Sequence, residues 1–491
     1  MSHSQISRRG ILGIGAGLAT FGLPSLANSG SPKSRKPKKA KNIIYCVSDG
    51  MSAGVPALCD QYMRQEHGKS SHWMEFMRHE QAIRGCMITH SLSSLVTDSA
   101  AASSSWGSGV HVWNRMLNTL PDKTELRPLY SLLREEAKMR TGLVTTCSIT
   151  HATPAGFSIS HWSRAEEAII AEKYLKLGVD VLMGGGGKFF SPELREKFIK
   201  AGYEVHTNRS DSANSKQGGK FLGLYADDQI PYTIDRDNDI KLVKAVPTLA
   251  EMAESAIKML DGSPEGFILQ IEGGRVDHAA HANDFGGILF DQIAFEEAMQ
   301  VALNYAMSRD DTLIVVTSDH GNSNPGLIGA GNEYFDSTAG LKTPHKMSKS
   351  YEELVKLFPG KSDADIHDLI DMYLGISLDK SGLKLVTDAV ATAGSLIGIE
   401  QYRTVHSALA IATSNVTHVC WSGRQHSTEY TILTAFGPGA EDFAGPNENI
   451  SVFNKLLSHR GIKHTNPTMT YEEGLRYKET ITALNTEILW A

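Results

Sequence analysis

Five short, uninterrupted apolar runs constrain this chain most: Asn42–Ser48 (NIIYCVS), Gly142–Ser148 (GLVTTCS), Asp180–Met183 (DVLM), Phe267–Glu272 (FILQIE) and Thr312–Ser318 (TLIVVTS). A strand with one wet face alternates polar and apolar residues. These runs do not alternate, which is the pattern of strands covered on both faces. Helical patterns lie between them, such as Thr248–Asp261 (TLAEMAESAIKMLD) and Phe290–Ser308. The alternation predicts an α/β fold with a central, mainly parallel sheet sandwiched by helices. In such sheets ligands gather outside the carboxyl ends of the strands. Three runs end in or beside an acid there: Asp49, Glu272 and Asp319. Tyr430–Phe436, followed by Gly437-Pro438-Gly439, reads as a late strand entering a turn. Over residues 334–398 the strand rhythm stops and helical patterns follow one another (SYEELVKLF, DADIHDLIDMYLGI, LKLVTDAVATAG). That segment reads as a helical insertion or cap beside the site, with TPHKMSKSYEEL (343–354) as ordinary surface.

Composition narrows the class. With 491 residues, 41% hydrophobic and 21% charged, the chain can bury a large core and is not a disordered polymer. No uninterrupted apolar run reaches the ~20 residues of a membrane helix. Five cysteines (Cys46, Cys59, Cys86, Cys147, Cys420) are scattered and odd in number, which excludes a disulfide framework or a zinc ribbon. The net charge of −7 hides an asymmetry: the first 40 residues hold seven basic residues and no acid, and the remaining 41 basic and 55 acidic residues leave the body at −14. A basic nucleic-acid-binding face is therefore not expected. Arg8-Arg9 precede a mildly apolar, Gly/Ala-rich stretch ending near Ala27. Residues 1–27 have the layout of a twin-arginine export signal, which implies a periplasmic or secreted protein. Residues 28–41 (NSGSPKSRKPKKAK) read as a basic, disordered linker.

Four clusters carry candidate chemistry: VSDGM (47–51), VTDSAA (96–101), IEGGRVDHAAH (271–281) and TSDHG (317–321). Asp277 and His281 are one helical turn apart, so both can face one ion; a surface turn would use the same letters. Asp98-Ser99 before small residues can cap a helix as readily as it can present a nucleophile. Asp319-His320 is weak by itself. Together these residues offer imidazole and carboxylate without thiolate at strand ends, a donor set suited to catalytic zinc.

In this order the clusters resemble the alkaline phosphatase family. The resemblance runs from Asn42 to about Glu333 and resumes from His406 to Ala440. It includes DVLMGGGGKFF (180–190), GLYADDQIPY (223–232), IEGGRVDHAAHAND (271–284) and WSGRQHSTEYTILTAFGPGA (421–440). It implies a catalytic domain made of 42–333 and 399–491, and hydrolysis of small-molecule phosphate monoesters through a phosphoserine at Ser99. It further implies a first zinc held by Asp277, His281 and His426, and a second by Asp49, Asp319 and His320. A third ion, usually magnesium, would be held by Asp49, Thr153 and Glu272. Arg164, thirteen positions after His151, would clamp two phosphate oxygens, as a planar guanidinium can. His151 and His278 stand where one bacterial branch has aspartate and lysine. They would orient the third ion from outside its ligand shell, and they leave its identity open between magnesium and zinc or cobalt. Many family members are dimers, so a homodimer is the candidate assembly. A phosphodiesterase of the same superfamily and a non-catalytic phosphate-binding relative are the alternatives. A sulfatase lacks support, since no Cys-x-Pro-x-Arg segment is present.

Overall fold

In the computed structural model, residues 39–212, 216–394 and 402–478 are described. Ten strands form one sheet: β1 (Asn42–Ser48), β2 (Ile83–Ile88), β3 (Arg140–Ser148), β4 (Val181–Gly185), β5 (Tyr203–His206), β6 (Lys220–Leu224), β7 (Phe267–Gly273), β8 (Thr312–Thr317), β9 (Thr431–Phe436) and β10 (Gly445–Glu448). Their spatial order is β10-β2-β9-β8-β1-β7-β3-β4-β6-β5. Every pairing is parallel except the two made by β9. The expected fold class is the observed one.

Continuous apolar strands are explained by burial on both faces. In β1, Ile44 and Cys46 join the core on one side of the sheet, while Ile43, Tyr45 and Val47 join the core on the other. β8 does the same, with Ile314 and Val316 on one side and Leu313 and Val315 on the other. One layer contains the helices Leu249–Leu260 and Phe285–Met307; the opposite layer contains Ser99–Ser108, Ala152–Ser158 and Ser451–Ser458. The four central strands end level with one another. Val47 pairs with Glu272 on one side and Thr317 on the other, and Glu272 pairs in turn with Thr145. The loops leaving β8, β1, β7 and β3 therefore emerge together at the middle of one sheet edge, where a doubly wound sheet places its ligands.

Residues 332–391 are helical, in short 3₁₀ turns followed by Tyr351–Val355, Asp363–Leu374 and Lys380–Ala391, and helix Val405–Thr417 follows. The segment 343–354 is not ordinary surface. Tyr351 and Leu354 are fully buried in the core that covers β1. Tyr351 N–H donates to Asp284, and its hydroxyl lies 3.0 Å from Thr413 Oγ1. The apolar residues of this segment are too widely spaced to announce a face, and the partners that bury them come from distant helices.

Ala40 and Lys41, read from the sequence as the end of the linker, belong to the fold: Ala40 N–H donates to His459 Nδ1 and Lys41 N–H to the Asp311 carbonyl. The predicted export signal (1–27) and the linker up to Lys38 lie outside the described residues. Among the described residues no helix is long and apolar enough to cross a membrane.

Candidate active site

Ser99 is the first residue of helix Ser99–Ser108 and is buried. Asp98 caps that helix: its Oδ1 accepts from Ala101 N–H at 3.0 Å. The sequence left cap and nucleophile open for this pair. Asp98 is the cap, and Ser99 sits beside it at the positive end of the helix, where anions are favoured. Asp98 Oδ2 also accepts from the Arg115 amide and from Arg164 Nη1, both at 3.0 Å. Arg164 Nη2 lies 2.9 Å from His151 Nε2. One carboxylate therefore fixes both the start of the Ser99 helix and the Arg164 guanidinium.

Ser99 Oγ lies 3.1 Å from His320 Nε2. The same nitrogen is 3.3 Å from Asp319 Oδ2 and 3.6 Å from Asp49 Oδ1. Asp49 and Asp319–His320 leave adjacent strands, β1 and β8, which is why residues 270 positions apart in sequence meet. A second group is formed by Asp277, His281 and His426. Asp277 Oδ2 is 3.3 Å from His281 Nε2 within helix Arg275–His281, and Asp277 Oδ1 is 3.6 Å from His426 Nε2. His426 is brought in by a short antiparallel pairing of His426–Ser427 with Gly321–Asn322. His281 Nδ1 contacts the Arg424 carbonyl and His426 Nδ1 the Thr97 carbonyl, each at 2.8 Å. Those contacts fix both rings with Nε2 facing Asp277. Gly50, at φ +63°, lets this happen: a Cβ there would lie 2.2 Å from Asp277 Oδ1.

The third group is Asp49, Glu272 and His151, with Thr153 donating to Asp49 Oδ2 at 3.4 Å. His151 Nδ1 is 3.9 Å from both Asp49 Oδ2 and Glu272 Oε1. Behind it, Cys147, His151 and His278 also converge. Every site residue expected from the sequence is thus brought to one place: Ser99, Arg164, Asp49, Asp277, His281, His426, Asp319, His320, Thr153, Glu272, His151 and His278.

Electrostatics show what this site requires. Asp49, Glu272, Asp277 and Asp319 are all buried. Burial, then repulsion from Asp319, Asp277 and Glu272, raises the Asp49 carboxyl well above its ordinary range. Burial lifts Glu272 to about 7 and Asp319 to about 6. Burial acts the same way on Asp277, but His281, His426 and His320 outweigh it and hold that carboxyl well below its ordinary value. Burial also pushes His320 down to about 4 and His426 to about 3. Asp49 Oδ1, both Glu272 oxygens, Asp319 Oδ2, His320 Nδ1 and His151 Nδ1 are buried without a hydrogen-bond partner. Buried carboxylates in such numbers call for cations, and neutral imidazoles with carboxylates are the donors divalent ions take. The residues present fit metal ions.

Comparison with known proteins follows the same line. The Alkaline phosphatase family profile matches residues 40–461. This chain belongs to the alkaline phosphatase family. It is accordingly a phosphoric monoester hydrolase. Alkaline phosphatase 3 of Bacillus subtilis (strain 168) is 30% identical over 461 residues, 90% of this chain and 95% of the relative. The crystal structure of Thermus thermophilus alkaline phosphatase superposes with a TM-score of 0.84 at 31% identity, covering 93% of this chain and 99% of that one. A cold-active alkaline phosphatase from a psychrophilic Shewanella gives 0.73 at 26% identity, covering 85% and 99%.

Several residues of this alkaline phosphatase site are absent from the sequence reading. Asn322 Nδ2 donates to Asp277 Oδ1 at 2.7 Å. Arg115, in the left-handed region at φ +75°, gives its amide to Asp98 and its carbonyl to the Arg164 amide. Arg275 spans Nη1 to His278 Nδ1 and Nη2 to Glu352, both 2.7 Å. Arg275 lies within the IEGGRVDH cluster and could have been flagged by position. The other contacts depend on backbone conformation and strand pairing that no local pattern announces.

Proposed function

We propose that this chain hydrolyses phosphate monoesters through a phosphoserine at Ser99, with Arg164 binding the phosphoryl oxygens. The observation that carries the reading is Asp98, which holds the Ser99 helix and the Arg164 guanidinium in one hydrogen-bonded unit. In the first half-reaction Ser99 Oγ loses its proton and bonds to phosphorus as the ester P–O bond breaks, and the alcohol leaves with a proton. In the second, a water oxygen bonds to phosphorus, the Ser99 Oγ–P bond breaks, and Ser99 regains its proton as phosphate departs. The Nη1 and Nη2 donors of Arg164 match the spacing of two phosphoryl oxygens. The N-terminus of the Ser99 helix adds partial positive charge where the transferring group carries its negative charge.

Asp277, His281 and His426 would hold one zinc; Asp49, Asp319 and His320 a second; and Asp49, Thr153 and Glu272 a magnesium-type ion. Bound there, such ions supply Lewis acidity to oxygens at both ends of an in-line displacement. His151 and His278 would tune the third ion's environment, and Cys147 adds a softer donor beside them. The helical segment 334–398 is proposed as an insertion shaping access to the site, with 42–333 and 399–491 as the catalytic domain. Export by the twin-arginine route to the periplasm or medium is proposed from Arg8-Arg9, and a homodimer is the proposed assembly.

The test is metal content of the purified protein by mass spectrometry, with turnover of mono- and bis-nitrophenyl phosphate measured before and after chelation. The reading predicts at least two zinc and one further ion per chain, monoester turnover far above diester turnover, and loss of activity on chelation. Full metal content with preferred diester turnover would contradict it.

A further inference from the structure

Among the described residues, one set of metal-type donors lies apart from the catalytic groups: His90, His111 and Glu448, whose ligand atoms all lie within 4.8 Å of one another. They come from three separate segments. His90 is two residues past β2, Glu448 is the last residue of β10 and pairs with Ile88, and His111 follows Gly109, the left-handed cap that ends helix Ser99–Ser108. The two imidazole rings lie 4.0 Å apart at 34°. Both are half-buried, and Glu448 is exposed. A triangle with sides of this length has a point within about 2.8 Å of every corner, against about 2.0–2.2 Å for zinc on imidazole or carboxylate. Rotation of three partly exposed side chains closes that difference.

The chemistry of the donors agrees. Burial, then His90, holds the His111 imidazole down to about 4, so its lone pair is available at neutral pH. Ser105 Oγ lies 3.4 Å from His111 Nδ1. This is the kind of outer contact that orients a ligating ring. Two imidazoles and one carboxylate are a zinc donor set with a position left for water.

We propose that His90, His111 and Glu448 bind a divalent transition ion, zinc above all, at a peripheral site distinct from the catalytic cluster. The ion joins the C-terminal end of the helix that begins with Ser99 to the ends of β2 and β10. It therefore stiffens the support of the nucleophile without touching substrate.

The experiment compares full-length holoenzyme with Glu448→Ala and with the double variant His90→Ala/His111→Ala. Zinc carried through purification is measured by mass spectrometry, and further uptake by calorimetric titration of zinc chloride. Expected is one zinc more per chain in the wild type than in either variant, with monoester turnover at saturating catalytic ions unchanged within about twofold. Added zinc should also raise the wild-type melting temperature and leave that of Glu448→Ala unmoved. Glu448 is exposed, so its variant reports even if the double variant folds poorly. Equal total zinc in wild type and Glu448→Ala overturns the proposal. Because these residues supply nothing to the catalytic cluster, that result would leave the phosphatase reading standing.

Discussion

Asp98 accepts from Ala101 through one oxygen and from Arg115 and Arg164 through the other. Burial acts to raise its carboxyl, but Arg164 and the two backbone amides outweigh this and lower it. A half-buried acceptor serving three donors makes its truncation costlier than loss of one bond. Asp98→Ala is expected to lose about 1 kcal/mol of stability through the helix cap. It should also lower kcat/KM by roughly 10²-fold through misplacement of Arg164. Arg164→Ala should do comparable damage, and the double variant should be little worse than either single one, because the two act as a unit. Steady-state kinetics of the three variants check this; fully additive losses would show that Asp98 and Arg164 act separately. Asp49, Ser99, Glu272, Asp277, His281, Asp319 and His320 were legible as candidates because each stands at the end of an apolar run or in a compact cluster, whereas Arg164, Thr153 and His426 came only from the family resemblance. The residues that position them, Arg115 and Asn322, were not, because their roles come from a left-handed backbone and from tertiary contacts.

The helices Ser99–Ser108 and Ala152–Ser158 pack with their backbones nearly touching. A Cβ on Gly107 would lie 2.0 Å from the Gly156 carbonyl oxygen. Alanine in place of glycine inside a helix is worth about 1 kcal/mol in propensity, but overpacking against a backbone that cannot rotate costs about 1–3 kcal/mol. Gly107→Ala is therefore expected to lower the melting temperature, and an unchanged or raised value would show that the two helices can move apart freely. The long helix Phe285–Met307 carries a different tension. Asp291 accepts from the Thr233 amide and hydroxyl, yet burial pushes its carboxyl up to about 7. The unfolded value is about 3.9, so between those values the folded state binds more protons. Its stabilising contribution is complete below about 4 and is lost as pH rises through 7. Asp291→Asn should lose less stability than the wild type between pH 5 and pH 8, read from melting temperatures of metal-free protein; parallel curves would contradict the assignment. Among the elements, β1, β3, β7 and β8 were legible because both faces are apolar. β2 (IRGCMI) was not: most of its residues are only partly buried, and its arginine and glycine blur the pattern. The short strands β5 and β10 carry four residues each, too few to show a period.

At the scale of the whole molecule, the order β8-β1-β7-β3 sets four loops side by side at one sheet edge. Those loops carry Asp319–His320, Asp49, Asp277–His281 and His151–Thr153, while Glu272 stands near the end of β7 itself. The antiparallel β9 and the short pairing of His426 with Asn322 complete the ring from the other side. Helix Ser99–Ser108 delivers its first residue into the middle of that ring. The sheet thus gathers charges that would repel one another in a metal-free core around one hydroxyl, that of Ser99, proposed to carry the phosphoryl group. The most direct test is to mix the metal-loaded protein with a phosphate monoester, quench in acid, digest, and map phosphorylation by peptide mass spectrometry. Phosphate is expected on Ser99 in the wild type and absent from the corresponding peptide of Ser99→Ala, with turnover lost in that variant. Rapid turnover with phosphate on another residue, or undiminished turnover by Ser99→Ala, would contradict it.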